Sequence, residues 1–305
     1  MKFGINLLNF GPGSGPDSFL RWARFAESLG FHFLMISDHV TVTPDVQGMY
    51  PAPFYDPFTV LSWLAGKTRK MELGTTVTIL PYRHPLQTAR IVANIDQMSG
   101  GRFIFGVGVG WAKQEFAALG VPFNRRGAIA NEYLEIIRKC WTGDVVSHDG
   151  EFVSFEDVHT APRPSRSPHP PIWVGGSSDA ALRRAVRYGN AWHPLRTRVA
   201  WLRDEALPRL KSIAEAEGVP VPDLCPRLSL RLTESPLPEG ERTAGEGTLD
   251  QIRSDLEGLR SLDARYVLFD TYAGDPESIR HPESDQTLLA TLAERVIDVG
   301  NESLR

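Results

Sequence analysis

The chain alternates short apolar runs with amphipathic helical stretches along nearly its whole length, and this alternation limits its fold more than any other feature. Strands that alternate with helices form a parallel sheet, because each helix returns the chain to the start of the next strand. Eight strand–helix units favour a closed α/β barrel, the (β/α)8 or TIM-barrel fold, over an open doubly wound sheet. The predicted strands cover residues 2–8, 31–37, 72–80, 102–107, 171–174, 190–193, 227–233 and 265–270.

Two irregular stretches interrupt the alternation, although residues 1–305 are predicted to form a single domain. An insertion after strand four, at about residues 112–170, contains an extra helix at 128–141 and a hairpin around 148–155. Because the insertion follows a strand end, we expect it to lie beside the mouth of the barrel. The stretch at about 234–247 is rich in Pro, Glu and Gly, and this composition predicts a mobile loop that could act as a lid.

The composition narrows the range of partners. A net charge of −4 without a long Lys/Arg run disfavours nucleic acid. Cys140 and Cys225 have neither a CxxC nor a zinc-like spacing, so we expect two reduced, buried thiols. The absence of a signal peptide and of a run of about 18 apolar residues predicts a soluble, cytoplasmic protein that binds a small molecule and no membrane.

Polar residues and glycines cluster after the predicted strands two to six. In a (β/α)8 barrel the functional residues follow the carboxyl ends of the strands, where the βα loops form the mouth. We therefore expect these clusters to converge on one site. They are SDH at 37–39, TVTILPYRHP at 76–85, GVGVGW at 106–111, VGGSSD at 174–179 and AWHP at 191–194.

Two glycine-rich clusters allow a ligand to approach the backbone closely. Gly175, Gly176 and Ser177 open a predicted helix whose N-terminus favours anions, which predicts a phosphate site; the alternative is an ordinary glycine turn. GVGVG at 106–110 lacks both the G-x-G-x-x-G spacing and the acidic partner of a dinucleotide site. We interpret these glycines as a strand end that leaves room for a flat ring.

His39 is the leading candidate for acid–base chemistry, because histidine titrates near neutral pH and His39 directly follows a strand. Asp38 could orient His39, or the two could form a purely structural pair. Trp111 and His193 are expected to face the mouth, and Glu115 either hydrogen-bonds into it or stabilises a helix start. No H-x-H or HExxH spacing supports a metal site, and we expect none.

Five segments in order carry a family resemblance: SDHV, LGTTVTILPYRHP, TARIVANIDQMSGGR, GVGVGWAKQEFAALGVPFNRRG and PPIWVGGSSDAALRRAVRYGNAWHP. Through them the chain resembles the bacterial luciferase-like flavin superfamily, and most closely its actinobacterial branch of deazaflavin (coenzyme F420)-dependent oxidoreductases. The resemblance implies a luciferase-like barrel with coenzyme F420, or alternatively FMN, at its mouth.

The resemblance also implies roles for individual residues. His39 matches the histidine beside the cofactor ring and is expected to be catalytic, with Asp38 as a neighbouring ring contact. The Thr76–Val77 peptide matches a non-proline cis bond that supports the back face of the ring. Further cofactor contacts are implied at Thr78, Val109, Gly110, Gln114, Val174, Gly175, Gly176 and Ser177.

Trp111 departs from one pattern in the superfamily. The sugar-phosphate dehydrogenases have a glutamate acid at this position after strand four. The difference disfavours sugar-phosphate oxidation and suggests an aromatic wall for an apolar or planar substrate. The resemblance further implies a homodimer formed through helices two and three.

Hydride transfer between coenzyme F420 and a small organic substrate is the expected function, with His39 supplying or accepting a proton. The alternative is a reduced-FMN-dependent monooxygenase on the same fold. Two further possibilities are a flavin-binding protein without turnover and a barrel lyase or hydrolase without flavin. The last would need paired catalytic carboxylates at strand ends, which the sequence does not place there.

Overall fold

A computed structural model describes residues 1–272, 274–276, 279 and 282–305 of the chain. Within this part, eight parallel strands form a closed barrel. They are β1 (Lys2–Asn6), β2 (Phe33–Ile36), β3 (Glu72–Thr75 and, beyond a bulge at residues 76–77, Thr78–Ile79), β4 (Phe103–Gly108), β5 (Ile172–Gly175), β6 (Ala191–His193), β7 (Asp223–Leu224 and Arg227–Ser229) and β8 (Tyr266–Asp270).

Each strand pairs in parallel with the next one along the chain, and β8 pairs with β1. The first part of β7 pairs with β6, and its second part pairs with β8. Between these parts, the backbone N–H groups of Cys225 and Arg227 donate to the carbonyls of Trp192 (2.9 Å) and Pro194 (2.8 Å). The β6–β7 hydrogen bonds therefore continue without a gap, and the predicted (β/α)8 barrel is confirmed.

The predicted bounds of strand seven, residues 227–233, are wrong at both ends. The strand begins at Asp223, where it already pairs with β6. Beyond β7, Arg231–Leu232 leaves the barrel and pairs instead with Glu246–Gly247. The sequence pattern shows that a segment is extended but not which strand it pairs with. A segment that pairs inside the barrel and one that pairs outside it therefore look alike in the sequence.

A helix follows every barrel strand in the described residues, and none of these helices is long and apolar enough to cross a membrane. The helices are α1 (Pro16–Ser28), α2 (Pro57–Ala65), α3 (Pro85–Ser99), α4 (Arg126–Thr142), α5 (Asp179–Tyr188), α6 (Val199–Trp201, a π turn at Leu202–Ala206, and Leu207–Glu217), α7 (Leu249–Ser261) and α8 (Pro282–Arg295).

Local sequence sets where the ring helices begin and end. The side chain of Asp56 accepts a hydrogen bond from the Thr59 N–H (2.8 Å) and caps α2, whose first residue is Pro57. Gly100 ends α3 with a φ of 70°, a left-handed conformation that favours glycine. Helix α2 thus begins at the mouth, and α3 ends at the opposite rim of the barrel.

The helix predicted at 128–141 as part of an insertion belongs to the barrel instead. It is α4, the fourth helix of the outer ring, and it packs between α3 and α5. The Trp141 indole N–H donates to the Ala89 carbonyl of α3 (2.9 Å), and Arg184 of α5 donates to the Asn131 side chain (2.8 Å). The true additions to the barrel are the short helix Lys113–Ala118 before α4 and a hairpin after it.

The hairpin consists of two antiparallel strands, Val145–Asp149 and Ser154–His159. Its turn is bound to the outside of α4, because the Glu132 carboxylate accepts hydrogen bonds from the N–H groups of Glu151 (3.0 Å) and Val153 (2.9 Å). The hairpin therefore covers the outer face of a ring helix.

The stretch 234–247, expected to be a mobile loop, is tied to α7 in its second half. The buried guanidinium of Arg242 donates to both carboxylate oxygens of Asp255, at 2.7 and 2.9 Å. Asp255 also accepts from the Gly245 N–H (2.9 Å). The first half is tied to the same helix at Leu237, whose N–H donates to the Gln251 side chain (3.0 Å) and whose carbonyl accepts from it (2.8 Å). Mobility of the stretch stays a prediction.

The barrel interior has two layers. The lower layer is apolar and contains side chains from six of the strands. Above it, toward the carboxyl ends, lies a polar layer made by Asn6, Thr76, His193, Arg227 and Asp270. Both cysteines are buried and unpaired, as predicted. The members of the lower layer are Phe33, Met35, Ile104, Trp173, Ala191, Cys225 and Leu268.

Strand β4 contains glycines because β3 passes unusually close to it. A Cβ on Gly106 would lie 1.8 Å from the carbonyl oxygen of Thr75, and one on Gly108 would lie 2.5 Å from a methyl of Val77. The interpretation that these glycines leave room for a flat ring is therefore wrong for Gly106, since the neighbouring strand occupies that space. The constraint is steric and fixes the position of the bulge.

Replacing Gly106 by alanine should lower the free energy of unfolding by about 3 kcal/mol, because the backbone of β3 must move to admit the methyl group. Gly240→Ala is the matched control, since a Cβ there meets no atom within 4 Å, and it should change stability by less than about 0.5 kcal/mol. Urea denaturation measures both values. Equal stability of the two variants would contradict the steric account.

Candidate active site

A cavity of about 290 Å³ opens at the carboxyl ends of the strands. Its position follows from the fold, because parallel strands of a closed barrel all end at the same rim. Most of the predicted site residues line it. These are Asp38, His39, Thr76, Val77, Val109, Gly110, Trp111, Gly175, Gly176 and His193.

His39 and Glu115 form a buried pair beside the cavity. The Nδ1 atom of His39 lies 2.6 Å from Oε2 of Glu115, whose side chain is 0% exposed. The other carboxylate oxygen accepts hydrogen bonds from the backbone N–H groups of Val40 (2.7 Å) and Thr41 (3.0 Å). Because an ionised carboxylate only accepts, Nδ1 carries the ring proton. The Nε2 atom has no hydrogen-bond partner among the described residues.

The ionised state of Glu115 follows from its contacts. Burial favours the neutral acid, but the hydrogen bonds and the charge of His39, together with the Thr41 amide, outweigh it and hold the pKa of Glu115 below its usual value. The carboxylate therefore stays charged at neutral pH. It can orient the imidazole of His39 and balance a positive charge on that ring.

Asp38 has a structural role in this arrangement. Its two carboxylate oxygens accept hydrogen bonds from Arg83 at 2.7 and 2.9 Å, and one of them also accepts from the Ile79 N–H (2.9 Å). Arg83 donates further to Asp56 (2.9 Å) at the start of α2. Asp38 thus fixes the end of β2 to the end of β3, and its charge is already paired. Contact with a cofactor ring stays a prediction for this residue.

The bulge at 76–77 forms the floor of the cavity. The Thr76–Val77 peptide bond is cis, as the family resemblance implied. Arg227 donates to the carbonyl oxygen of Thr76 (2.8 Å) and to its hydroxyl (3.2 Å), and the same guanidinium donates twice to Asp270 (2.7 and 3.0 Å). Asn6 donates to the other oxygen of Asp270 (2.8 Å). A buried ion pair between β7 and β8 therefore holds the bulge from below.

His193 completes this floor. Its Nδ1 lies 2.5 Å from the carbonyl oxygen of Cys225, so Nδ1 carries the proton, and its Nε2 accepts from the Thr76 hydroxyl (2.9 Å). Burial, assisted by the nearby charge of Arg227, lowers the pKa of His193 to about 4. His193 lines the cavity as predicted. Because both of its ring nitrogens already make hydrogen bonds within the protein, its role is to hold the bulge in place.

Aromatic rings form the open side of the cavity. The ring centroid of Trp111 lies 5.8 Å from that of His39 and 6.3 Å from that of Tyr50. The indole remains 42% exposed. Its position agrees with the predicted aromatic wall.

The loop after β5 reaches the cavity through Gly175 and Gly176. Gly176 has a φ of 101°, a conformation that favours glycine, and its carbonyl accepts from the Trp192 indole (2.7 Å). In the described part of the chain the backbone N–H groups of Ser177 and Ser178 donate no hydrogen bonds. These free donors at the start of α5 could bind an anion.

Four predicted cofactor contacts do not line the cavity. Thr78 is buried and donates to the Thr75 hydroxyl (3.0 Å). Gln114 is exposed, and its amide oxygen accepts from the Asp45 N–H (3.1 Å). Val174 is buried in the core, and Ser177 lies on the surface beyond Gly176. A ligand that extends past the cavity could still reach Ser177, but the structure gives the first three other roles.

Several cavity residues were missed by the sequence reasoning. Tyr50 lies in a loop away from any predicted strand end, Leu195 is an apolar residue just past the AWHP cluster, and Arg227 lies inside a strand. A charged residue inside a barrel strand is unexpected, because its side chain should face a packed core. Arg227 is such a residue, and Asp270, at the end of the next strand, is another. The sequence reasoning did not use this signal. Within the described residues, no group of three potential ligands could hold a metal.

Comparison with known proteins identifies the family. Residues 1–235 match the family described as luciferase-like monooxygenase. The chain belongs to this family. An uncharacterized protein of Mycobacterium tuberculosis is 32% identical over 206 residues, which cover 63% of this chain and 71% of that protein. The family predicted from the sequence motifs is confirmed.

Two solved structures have the same fold as this member of the family. Monooxygenase RslO1 from Streptomyces bottropensis has a TM-score of 0.75 and 24% identity, covering 96% of this chain and 98% of its own. The coenzyme F420 dependent tetrahydromethanopterin reductase from Methanopyrus kandleri has a TM-score of 0.76 and 20% identity, covering 96% and 97%. At these identities the likeness shows the fold. The homodimer and the cytoplasmic location stay predictions.

His193 should make stability depend on acidity. The unfolded chain protonates this histidine near pH 6.5 and the folded chain only near pH 4, so the unfolded state binds more protons between these values. The free energy of unfolding should therefore fall as the pH drops from 7 to 4, by about 3 kcal/mol more in the parent than in His193→Gln. Urea denaturation at both pH values measures this difference, with His159→Gln on the hairpin as control. Equal losses in the parent and in His193→Gln would contradict the assignment.

Proposed function

We propose that the protein is an oxidoreductase that transfers a hydride between the deazaflavin coenzyme F420 and a small organic substrate at the barrel mouth. The observation that carries this proposal is the His39–Glu115 pair beside a cavity that continues onto the glycine loop after β5. The pair supports proton exchange at the cavity, and the loop supports an anionic cofactor tail. The shared fold of the F420-dependent reductase and the sequence motifs support the choice of coenzyme.

The residues present fit a flat ring with an anionic tail. Val77 packs onto Gly108 and supplies a closed floor against which one face of a ring could lie. The free N–H groups of Ser177 and Ser178 would hold the phosphate. The nearby carboxylate of Asp179 would repel that phosphate, but it is paired with Arg209.

Coenzyme F420, when bound, would supply the hydride or accept it. His39 exchanges the proton. With Nδ1–H fixed by Glu115, Nε2 has no partner among the described residues. It can therefore accept a proton from a substrate hydroxyl, or return one from the imidazolium in the reverse direction. The Glu115 carboxylate balances the charge on that imidazolium. Glu115 is therefore a positioning residue, and His39 is the proposed catalytic residue.

A reduced-FMN-dependent monooxygenase is the second candidate. The description of the family and the fold shared with monooxygenase RslO1 favour it. The same cavity and the same anion-binding loop would serve FMN, which also combines a flat ring with a phosphate. The two candidates differ in the cofactor that binds.

A titration of the purified protein with each cofactor tests the proposal. Coenzyme F420 should bind with a Kd of about 10 μM or tighter, and at least about tenfold more tightly than FMN. Quenching of protein fluorescence reports both affinities. Tighter binding of FMN would contradict the assignment of F420 and favour the monooxygenase.

Replacing Glu115 by glutamine should lower turnover more than cofactor binding. The amide can still accept hydrogen bonds but cannot balance an imidazolium, so kcat should fall about 10- to 100-fold while the Kd of the cofactor changes less than about threefold. Glu132→Gln is a matched control, because Glu132 also accepts backbone N–H groups but lies at the hairpin. Turnover is followed by deazaflavin absorbance with a substrate found by screening. An unchanged kcat, or equal losses in both variants, would contradict the role of Glu115.

A further inference from the structure

We infer that the substrate is a neutral, flat, unsaturated molecule, such as an aromatic ketone or alcohol, that binds against Trp111 and Tyr50. This inference rests on the proposed function, since it names the substrate class of the same site. Three features of the cavity carry it: the rings on its open side, the pairing of every charge on its walls, and the apolar surface at its rim.

The rings of His39, Tyr50 and Trp111 surround the open side of the cavity. The centroid of His39 lies 5.4 Å from that of Tyr50 and 5.8 Å from that of Trp111, with the indole edge-on to the imidazole. All three residues line the cavity, so they give it an aromatic surface that includes the proposed catalytic histidine. Aromatic rings prefer offset-stacked or edge-to-face partners, which a planar substrate offers.

The charged groups on the cavity wall are all internally paired. Asp38 is bound by Arg83, and Arg227 is bound by Asp270. The Glu115 carboxylate that pairs with His39 does not line the cavity. An anionic substrate would find no free cation among the described residues that line the cavity. Burying an unpaired charge is costly. A sugar phosphate or carboxylate is therefore a poor fit.

The rim of the cavity is apolar and accessible. Trp111 is 42% exposed and Leu195 is 43% exposed, although both side chains are large and apolar. A flat apolar ligand that covers them would remove this surface from water, at about 25 cal/mol per Å² of apolar area. Arg196 follows Leu195 but does not line the cavity. Arg196 is exposed, and as a cation near the rim it could attract an anion.

Calorimetry with two probes of the same shape tests the inference. In the presence of saturating coenzyme F420, the neutral ketone 2-acetylnaphthalene should bind at least about tenfold more tightly than the anion 2-naphthoate. Trp111→Ala should weaken binding of the ketone about tenfold, while Trp111→Phe, which keeps a ring, should weaken it less than about threefold. Leu232→Ala, an exposed apolar residue outside the cavity, is the matched control and should leave the affinity unchanged.

Tighter binding of 2-naphthoate would overturn the inference, and loss of that binding in Arg196→Ala would locate the cation responsible. An unchanged ketone affinity in Trp111→Ala would also overturn it. The proposed function fails separately if F420 does not bind, or if it binds more weakly than FMN. In that case the ratio of the affinities for 2-acetylnaphthalene and 2-naphthoate, measured on the cofactor-free protein, still decides the inference. The three rings and the paired charges belong to the chain itself and do not depend on a cofactor.

Discussion

The close passage of β3 over the glycines of β4 is the contact on which the rest of the site depends. Gly106 provides the space for the carbonyl of Thr75, and Gly108 lies under the side chain of Val77. The chain of β3 therefore turns inward at the bulge, which puts Thr76 within reach of Arg227 on the other side of the barrel. A side chain at position 106 would push β3 outward and remove the floor of the cavity.

The polar layer above the apolar core supports the cavity that this geometry forms. The Arg227–Asp270 pair supports the floor of the cavity, and the Asp38–Arg83 pair supports its wall. Because each charge already has a partner of opposite sign, a ligand need not neutralise either pair. His39 differs, because its buried partner Glu115 leaves Nε2 without a hydrogen bond in the described part of the chain. The site therefore combines a neutral, flat-walled cavity with one polar atom suited to proton exchange.

The eight strand–helix units and the strand ends that converge on the mouth could be predicted from the sequence, because both depend on local patterns. The pairing of Arg227 with Asp270 could not, since it joins strands seven and eight through side chains whose direction is set by the register of the closed barrel. The role of Gly106 was missed for the same reason. Gln114 was assigned from motif similarity, but the backbone N–H of Asp45, in the short helix Pro44–Gln47, donates to its amide oxygen.

A crystal structure of the protein with bound coenzyme F420 would test the central claim most directly. The account predicts a ring that lies on the Val77 floor with its exposed face toward His39, and a phosphate bound by the N–H groups of Ser177 and Ser178. A ring bound outside the cavity, or a phosphate held elsewhere than the start of α5, would contradict it.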